Sequence, residues 1–336
     1  MSMKLSVIIP AYSGLDRIEK CFDSILNQKS TPKGYEVVVV VDGSPAMELL
    51  VKKLQDKFIR KKVSFQSIFL KQNRGRFEAR IIGAEAAKYD RLLFIDDRVE
   101  LASDFFSHVS APKLSKENAV MPNVIEAEAT NVVSATISMI RKRIWGSKAG
   151  EDFDDYYIND KNFEKSPKGT TSLLINKKVF LAACRKVGES LNPSNTSRIS
   201  DDTKVLRQIV EDGTEILRVS GLKVHYEPRN NFSQAWRHLF WRGPKFVDYY
   251  HRPGTRFFPL LAAVYLLVMV IVAFAVLSPV WLLYFLLVAV ALALAMAAVI
   301  AKSMRQFFVA LVGLPLTVII FSAGILTGTL LKIAGR

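Results

Sequence analysis

Over roughly its first hundred residues the chain alternates short apolar runs rich in branched side chains with stretches whose apolar positions recur every three or four residues. The runs 5–9, 36–41, 63–69 and 92–95 have the length and composition of strands buried on both faces. Between them, 15–28, 46–58 and 74–87 carry apolar residues at helical spacing. This β-α-β rhythm predicts a parallel sheet covered by helices.

From Phe257 the pattern changes: no Asp or Glu follows, and only Lys302, Arg305, Lys332 and Arg336 carry charge. The runs 257–277, 280–301 and 307–331 each reach the roughly 20 residues needed to cross a bilayer core. Ser278-Pro279 and Lys302-Ser-Met-Arg-Gln306 separate them. Helices of a soluble core carry a polar stripe that these runs lack, so residues 257–336 are expected to form three transmembrane helices. The stretch 229–256 mixes aromatic side chains with Arg and Lys, as an amphipathic helix on an anionic bilayer does. Residues 1–228 then form the α/β domain.

Charge orients this arrangement. Arg252 and Arg256 precede the first apolar run and Lys302 and Arg305 join the second to the third, whereas Ser278-Pro279 is uncharged. The positive-inside bias therefore predicts a multi-pass membrane protein with its α/β domain facing the cytoplasm. Lys332 and Arg336 would end on the far side, against that bias. The formal net charge is +15, and setting aside the four cations after Phe257 leaves +11. Membrane lipids with anionic head groups and phosphate-bearing substrates are the expected partners. No nucleic-acid recognition motif accompanies the basic charge, and nucleic acid is not an expected partner. Cys21 and Cys184 suggest neither a metal-ligand spacing nor a disulfide framework. The N-terminal run stops at Pro10 without a small-residue cleavage site and reads as a first strand.

In a sheet of this kind ligands bind beyond the carboxyl ends of the strands. The residues there are Pro10-Ala-Tyr-Ser13, Asp42-Gly-Ser44, Gln72-Asn-Arg-Gly75 and Asp96-Asp-Arg98, each set polar, small or charged. Asp42-Gly-Ser44 suits a plain turn and helix cap, and equally a carboxylate accepting from a nucleotide base or ribose. Asn73-Arg-Gly-Arg76 can cap the following helix or meet a diphosphate, and Arg80 can lie on its solvated face or near that diphosphate. Asp96 and Asp97, like charges side by side, call for a compensating cation: a hard divalent ion, or Arg98 as an internal counter-ion.

Together these segments resemble glycosyltransferase family 2 and its nucleotide-sugar-binding GT-A fold. The resemblance rests on Ser6-Val-Ile-Ile-Pro-Ala-Tyr12, Glu36-Val-Val-Val-Val-Val-Asp-Gly-Ser44, Asn73-Arg-Gly-Arg-Phe-Glu-Ala-Arg80 and Phe94-Ile-Asp-Asp-Arg-Val-Glu-Leu101. Gly169-Thr-Thr-Ser172 and Ser200-Asp-Asp-Thr-Lys-Val-Leu-Arg207 look like the family's acceptor-side loop and acidic catalytic motif. The resemblance covers residues 4–245 and implies an α/β GT-A fold, Rossmann-like and mostly parallel, with helices on both faces.

By that resemblance Pro10, Ala11, Tyr12, Asp42 and Ser44 line the nucleoside pocket, with Arg74, Gly75 and Arg80 near it or near the diphosphate. Asp96 and Asp97 fall on the Asp-x-Asp motif that ligates Mn or Mg, although Arg98 stands where that motif has its last acid. Asp202 is the implied general base of an inverting transfer and Asp201 its companion. Helix capping by Ser200 or Asp201, with acids in the first turn, explains the same residues structurally. Gly169 and Thr170 would face the acceptor. Arg237-His-Leu-Phe-Trp-Arg-Gly243 resembles the Gln/Arg-x-x-Arg-Trp motif of membrane-bound, cellulose-synthase-like members, placing Arg237 at the diphosphate and Trp241 at the acceptor, with Phe240 replacing the inner Arg.

The expected activity is a hexosyl transfer, mannose first, from a nucleotide-diphosphate sugar to a lipid-linked (polyprenol) acceptor. GDP-mannose is the first expected donor and UDP-glucose the second. The chain looks similar to small archaeal mannosyltransferases of lipid-linked N-glycan assembly. A polyprenyl-phosphate sugar synthase resembling dolichyl-phosphate mannose synthase is the alternative, ahead of a processive polysaccharide synthase or a non-catalytic nucleotide-sugar sensor.

Overall fold

The computed structural model describes residues 3–148, 153–189, 200–277 and 279–334; Ser278 and Arg336, used above in the charge argument, lie outside the described residues. In chain order the strands and helices are β1 (Lys4–Ala11), α1 (Ile18–Leu26), β2 (Gly34–Asp42), α2 (Pro45–Arg60), β3 (Ser64–Leu70), α3 (Arg76–Ala86), β4 (Arg91–Ile95), β5 (Val99–Leu101), α4 (Phe105–Val109) and α5 (Pro112–Ser115). Then come β6 (Ala119–Glu126), α6 (Val132–Trp145), β7 (Tyr156–Ile158), β8 (Ser172–Asn176), α7 (Lys177–Glu189), α8 (Asp201–Glu211) and β9 (Ile216–Tyr226). The chain continues through α9 (Phe232–Tyr250), α10 (Phe258–Leu277), α11 (Pro279–Ile300) and α12 (Met304–Ile333).

These elements divide into two compact units. The first contains every strand with α1–α5, α7 and α8; the second contains α6, within Glu128–Gly146, and the helices from Pro228 onward. The sequence boundary at residue 228 leaves α6 with the strands, because its pattern shows an amphipathic helix without naming its partner.

The sheet of the first unit runs β3-β2-β1-β4-β8-β6-β9-β5, with β7 also pairing to β9. β1 pairs parallel with β2 and β4, and β2 with β3, as the β-α-β rhythm predicts. Beyond β4 the rhythm stops: β8 inserts antiparallel between β4 and β6, while β5 and β7 pair antiparallel to β9. β6 and β9 pair parallel again, so the sheet is mixed, with four parallel and four antiparallel strand pairings among the described residues where a mostly parallel sheet was expected. Apolar runs announce strands but not their direction.

On one face Ile18, Phe22 and Ile25 of α1 and Met47, Val51 and Phe58 of α2 bury against Val7, Ile9, Val37, Val39 and Leu93. Phe22 meets Phe58 edge to face at 5.1 Å between ring centroids. On the other face α3 comes close because Gly83 has no side chain: a Cβ there would sit 2.5 Å from Ile8 Cγ2. That approach fixes where the first turn of α3 projects. Cys21 and Cys184 are buried free thiols, and burial pushes both up from their ordinary pKa.

In the second unit, α11 from Leu283 to Ile300 and α12 are long and apolar enough to cross a membrane, and Phe258–Phe274 is a shorter apolar stretch. α12 is lined by two amphipathic helices. Its first half packs on α6, with Thr136 against Gly313 and Met139 and Ile140 beside Ala310 and Phe307. Its second half packs on α9, whose Leu239, Gly243 and Pro244 meet Ile320, Gly324 and Gly328 in ascending order, so the two helices run parallel. The small residues let the backbones approach where side chains could not fit.

Candidate active site

The loops at the carboxyl ends of β1 to β4 are tied in pairs by carboxylates, β2 to β3 by Asp42 and β1 to β4 by Asp97. Asp42, at the end of β2, is buried and accepts from the backbone N–H groups of Arg74 at 2.7 Å and Gly75 at 2.9 Å. Burial raises its carboxyl from the ordinary value, while those two donors act to lower it. Gly43 follows at φ +69°, and a Cβ there would lie 2.2 Å from Asn73 N, so the turn after β2 admits no side chain. Gly75, at φ +90°, opens α3, and Ser44 caps α2 by accepting from Met47 N at 3.4 Å.

Asp96 and Asp97 leave β4 in different directions. Asp97 Oδ2 accepts from Gly14 N at 2.9 Å and from Tyr12 N at 3.4 Å, tying the end of β4 to the loop after β1. A Cβ on Gly14 would fall 2.4 Å from Asp97 Cγ. Asp96 turns the other way, to the guanidinium groups of α3. Arg98 joins neither acid. Its buried side chain donates from Nη2 to Asp16 Oδ1 at 2.9 Å, which replaces the internal counter-ion suggested by the sequence.

The centre of the site is an arginine–carboxylate cluster. Arg80 is buried, not on a solvated face as one reading of the sequence allows. Its Nη1 lies 3.2 Å from Asp201 Oδ2 and 2.5 Å from Asp202 Oδ1, and its Nη2 donates to Asp96 Oδ1 and to the Thr170 carbonyl, both at 3.0 Å. Arg76, one turn earlier on the same face of α3, donates from Nη2 to Asp202 Oδ2 at 3.0 Å and Asp201 Oδ1 at 3.5 Å. Arg76 Nη1 lies 3.6 Å from Asp96 Oδ2. The Thr170 hydroxyl also hydrogen-bonds Asp202. Three carboxylates from β4 and α8 thus share two guanidinium groups, as charges removed from water must.

Asp96 and Asp202 are shifted in opposite directions. Burial raises Asp96, with Arg76 and Arg80 only partly offsetting it. Burial also acts to raise Asp202, but Arg76, Arg80 and Thr170 outweigh it and hold its carboxyl well below the ordinary range.

The hard oxygen donors of Asp96 and Asp97 suit Mn or Mg in kind. Their arrangement does not suit a shared ion, because one carboxylate is engaged by backbone amides and the other by guanidinium groups. Among the described residues no group of three His, Cys, Asp or Glu side chains is placed to hold a metal.

The structure therefore brings together Asp96, Asp201, Asp202, Arg80 and Thr170. Pro10, Ala11 and Tyr12 lie where β1 ends, with the first two buried and Tyr12 half exposed. Arg74 is exposed beside Gly75, and Gly169 precedes Thr170 in the loop before β8. Arg237 and Trp241 are exposed on α9 of the second unit, where Arg237 lies 6.0 Å from the Trp236 ring. Sequence reasoning gave Arg76 only within a stretch that caps the helix or meets a diphosphate, and missed its pairing with Asp201 and Asp202 and the place of Gly14 beside Asp97. The spacing of Arg76 and Arg80, four residues apart in a helix, was the available signal.

Residues 6–169 match the family model described as glycosyl transferase family 2. Over those residues, just under half of the chain, the sequence is similar to that family, and its mixed sheet is GT-A-like. An uncharacterized glycosyltransferase of Rickettsia bellii is 30% identical over 137 residues, which is 36% of this chain and 19% of the relative's length. The mannosyltransferase PcManGT from Pyrobaculum calidifontis, solved with GDP-Man and Mn2+, is similar with a TM-score of 0.54 at 15% identity, over 99% of this chain and 87% of that one. S. aureus TarS 1-349 gives 0.50 at 15% identity, over 76% of this chain and 74% of that one.

Proposed function

We propose that this chain is a membrane-integrated, inverting glycosyltransferase that moves a hexose, mannose first, from a nucleotide-diphosphate sugar to a lipid-linked glycan. GDP-mannose precedes UDP-glucose as the donor. The carrying observation is the placing of Asp202, at the start of α8, beside Asp96 at the end of β4 through shared guanidinium groups. That geometry sets a carboxylate next to the strand ends where a nucleotide sugar would lie. The fold likeness to a mannosyltransferase over 99% of the chain agrees with this reading.

The nucleoside would enter between the loops after β1 and β2, against Pro10, Ala11, Tyr12, Asp42 and Ser44, with Arg74 and Gly75 toward the diphosphate. Asp202 Oδ would take the proton of the acceptor hydroxyl as that oxygen attacks the anomeric carbon and the sugar–phosphate bond breaks. The electron pair of that bond leaves on the phosphate. Asp201 and Arg80 are nearly inaccessible and act by holding Asp202 in place. Thr170 and Gly169 would border the acceptor.

The three helices α10, α11 and α12 are the proposed spans, with the first unit on the cytoplasmic side. α6 and α9 supply Arg141, Lys142, Arg143 and Trp145, and Trp236, Arg237 and Trp241, respectively, a composition suited to an anionic bilayer surface. A membrane-borne acceptor follows from that placement.

A second reading has its own observation. Asp202 is paired with two guanidinium groups and the Thr170 hydroxyl, which hold its carboxyl below the ordinary range and weaken it as a base. An acceptor that is already an anionic polyprenyl phosphate needs no strong one. Purified full-length protein with a panel of nucleotide sugars, scored for free nucleotide with and without lipid acceptors, tests the proposal. Release that requires a lipid-linked glycan supports it, release that requires only a lipid phosphate selects the second reading, and no release with any donor sinks both.

A further inference from the structure

We infer that Arg76 is the cation that meets the donor's diphosphate in this chain, in the place of a divalent ion shared by Asp96 and Asp97. The inference rests on the glycosyltransferase reading and deepens it. It comes from the disagreement between the acid pair and a shared ion. Asp97 is drawn to Gly14 N and Tyr12 N, and the contact is so close that no Cβ fits on Gly14. Asp96 already faces two guanidinium groups.

Arg76 and Arg80 divide the work by exposure. Arg80 has a side chain only 4% exposed and is occupied by Asp96, Asp201, Asp202 and the Thr170 carbonyl. Arg76 is 36% exposed, and only its Nη2 donates hydrogen bonds, both to the α8 acids. A guanidinium carries five N–H donors, so Nε and Nη1, the latter 3.6 Å from Asp96 Oδ2 and beyond hydrogen-bond distance, have donors to give while Nη2 keeps hold of Asp202. Arg76 is the first residue of α3, directly after Gly75, whose amide and that of Arg74 are held by Asp42. Planar paired donors at a helix start fit phosphate oxygens.

One side chain would then touch both ends of the reaction. As the anomeric carbon–oxygen bond to phosphate breaks, its electron pair passes to the phosphate oxygen, and the charge developing there is met by Arg76 Nη1 and Nε. The acceptor oxygen forms the new bond to the anomeric carbon and gives its proton to Asp202, the partner of Arg76 Nη2. Ordinary ion catalysis separates the cation from the base, whereas here one guanidinium couples them.

The test uses the full chain in detergent with GDP-mannose and UDP-glucose as probes. Donor binding by calorimetry and turnover are measured in EDTA and in Mn2+, for wild type, Arg76→Gln and Arg76→Lys, with thermal unfolding as the folding control. We expect donor binding to survive EDTA, and Arg76→Gln to lower kcat roughly 10²-fold with a smaller change in KM, the size expected for losing one preorganised charge donor. Arg76→Lys should restore part of the loss, because it keeps the charge without the planar fork. Donor binding only with Mn2+, together with wild-type kcat in Arg76→Gln, overturns the inference while leaving the glycosyltransferase reading intact. Binding of neither donor in either condition overturns both.

Discussion

Arg80 Nη1 lies 2.5 Å from Asp202 Oδ1, and the other terminal nitrogen of the same guanidinium lies 3.0 Å from Asp96 Oδ1. One buried side chain on α3 therefore joins the end of β4 to the start of α8. Replacing it with a neutral residue leaves buried carboxylates facing one another with only Arg76 between them. Arg80→Met is expected to cost about 3–5 kcal/mol, the range for breaking a buried ion pair from one side. Adding Asp202→Asn should recover part of that loss, because it removes one orphaned charge. Denaturant unfolding of the two variants in detergent checks both statements. Equal stability of wild type and Arg80→Met would falsify the structural role of this arginine.

The depressed Asp202 makes a prediction about pH. Its folded value lies below the unfolded value of about 3.9, so its ion pairs contribute stability that is present above that value and lost as pH falls further. Asp96 runs the other way: its raised folded value means that stability is lost as pH rises through the range between its unfolded and folded values. For catalysis, the base stays ionised through the ordinary carboxylate range, so kcat/KM should show no acid limb from Asp202 at roughly pH 4–5. Asp202→Asn should lower transfer to a hydroxyl acceptor about 10²–10⁴-fold. A limb in that pH range that disappears in Asp202→Asn would contradict the assignment.

Gly43 is the narrowest point of the site's scaffold. At φ +69°, with the Asn73 amide nitrogen 2.2 Å from where a Cβ would sit, an alanine meets both an unfavourable backbone region and a backbone clash. Gly43→Ala is expected to destabilise by about 1–3 kcal/mol and to weaken donor binding, because the Asp42 contacts to Arg74 N and Gly75 N shift with it. Thermal unfolding and donor titration measure the two effects. An alanine variant with wild-type values in both would show that the loop relaxes at no cost.

The parts of this molecule set by local pattern were legible in the sequence. The run 92–95 is β4 but for Arg91, the helical spacing over 74–87 brackets α3, and the run 307–331 lies inside α12. What pattern could not supply was partner choice. β8 reads as any buried strand, and nothing local places it antiparallel between β4 and β6. Arg80 was readable as a surface cation because charged residues are seldom buried, yet three carboxylates distant in sequence make its burial tolerable. Asp96 and Asp97 were legible as neighbours and misleading as a pair, since the turn after β4 gives one to the Arg80 guanidinium and the other to the amide of Gly14. α6 likewise shows an amphipathic face but not that Gly313 and Ala310 of α12 receive it.

The pairing of α9 with α12 yields the last prediction. A Cβ on Gly243 would lie 2.2 Å from Gly324 C, and one on Gly324 would lie 2.2 Å from Phe240 O, so both helices present bare backbone at the contact. A side chain there cannot escape by changing rotamer, because what it meets is main chain. Gly324→Leu should therefore force the helices apart and cost at least the roughly 1–3 kcal/mol of ordinary overpacking. The surrounding contacts of Val247 with Ile325, Leu261 and Val264 would loosen with it. Leu260→Ala, at a position 45% exposed, changes an apolar side chain on the neighbouring helix without touching that contact and serves as the control. Thermal unfolding in detergent is expected to fall clearly for Gly324→Leu and little for Leu260→Ala. The reverse order would mean that α9 and α12 do not hold each other through their glycines.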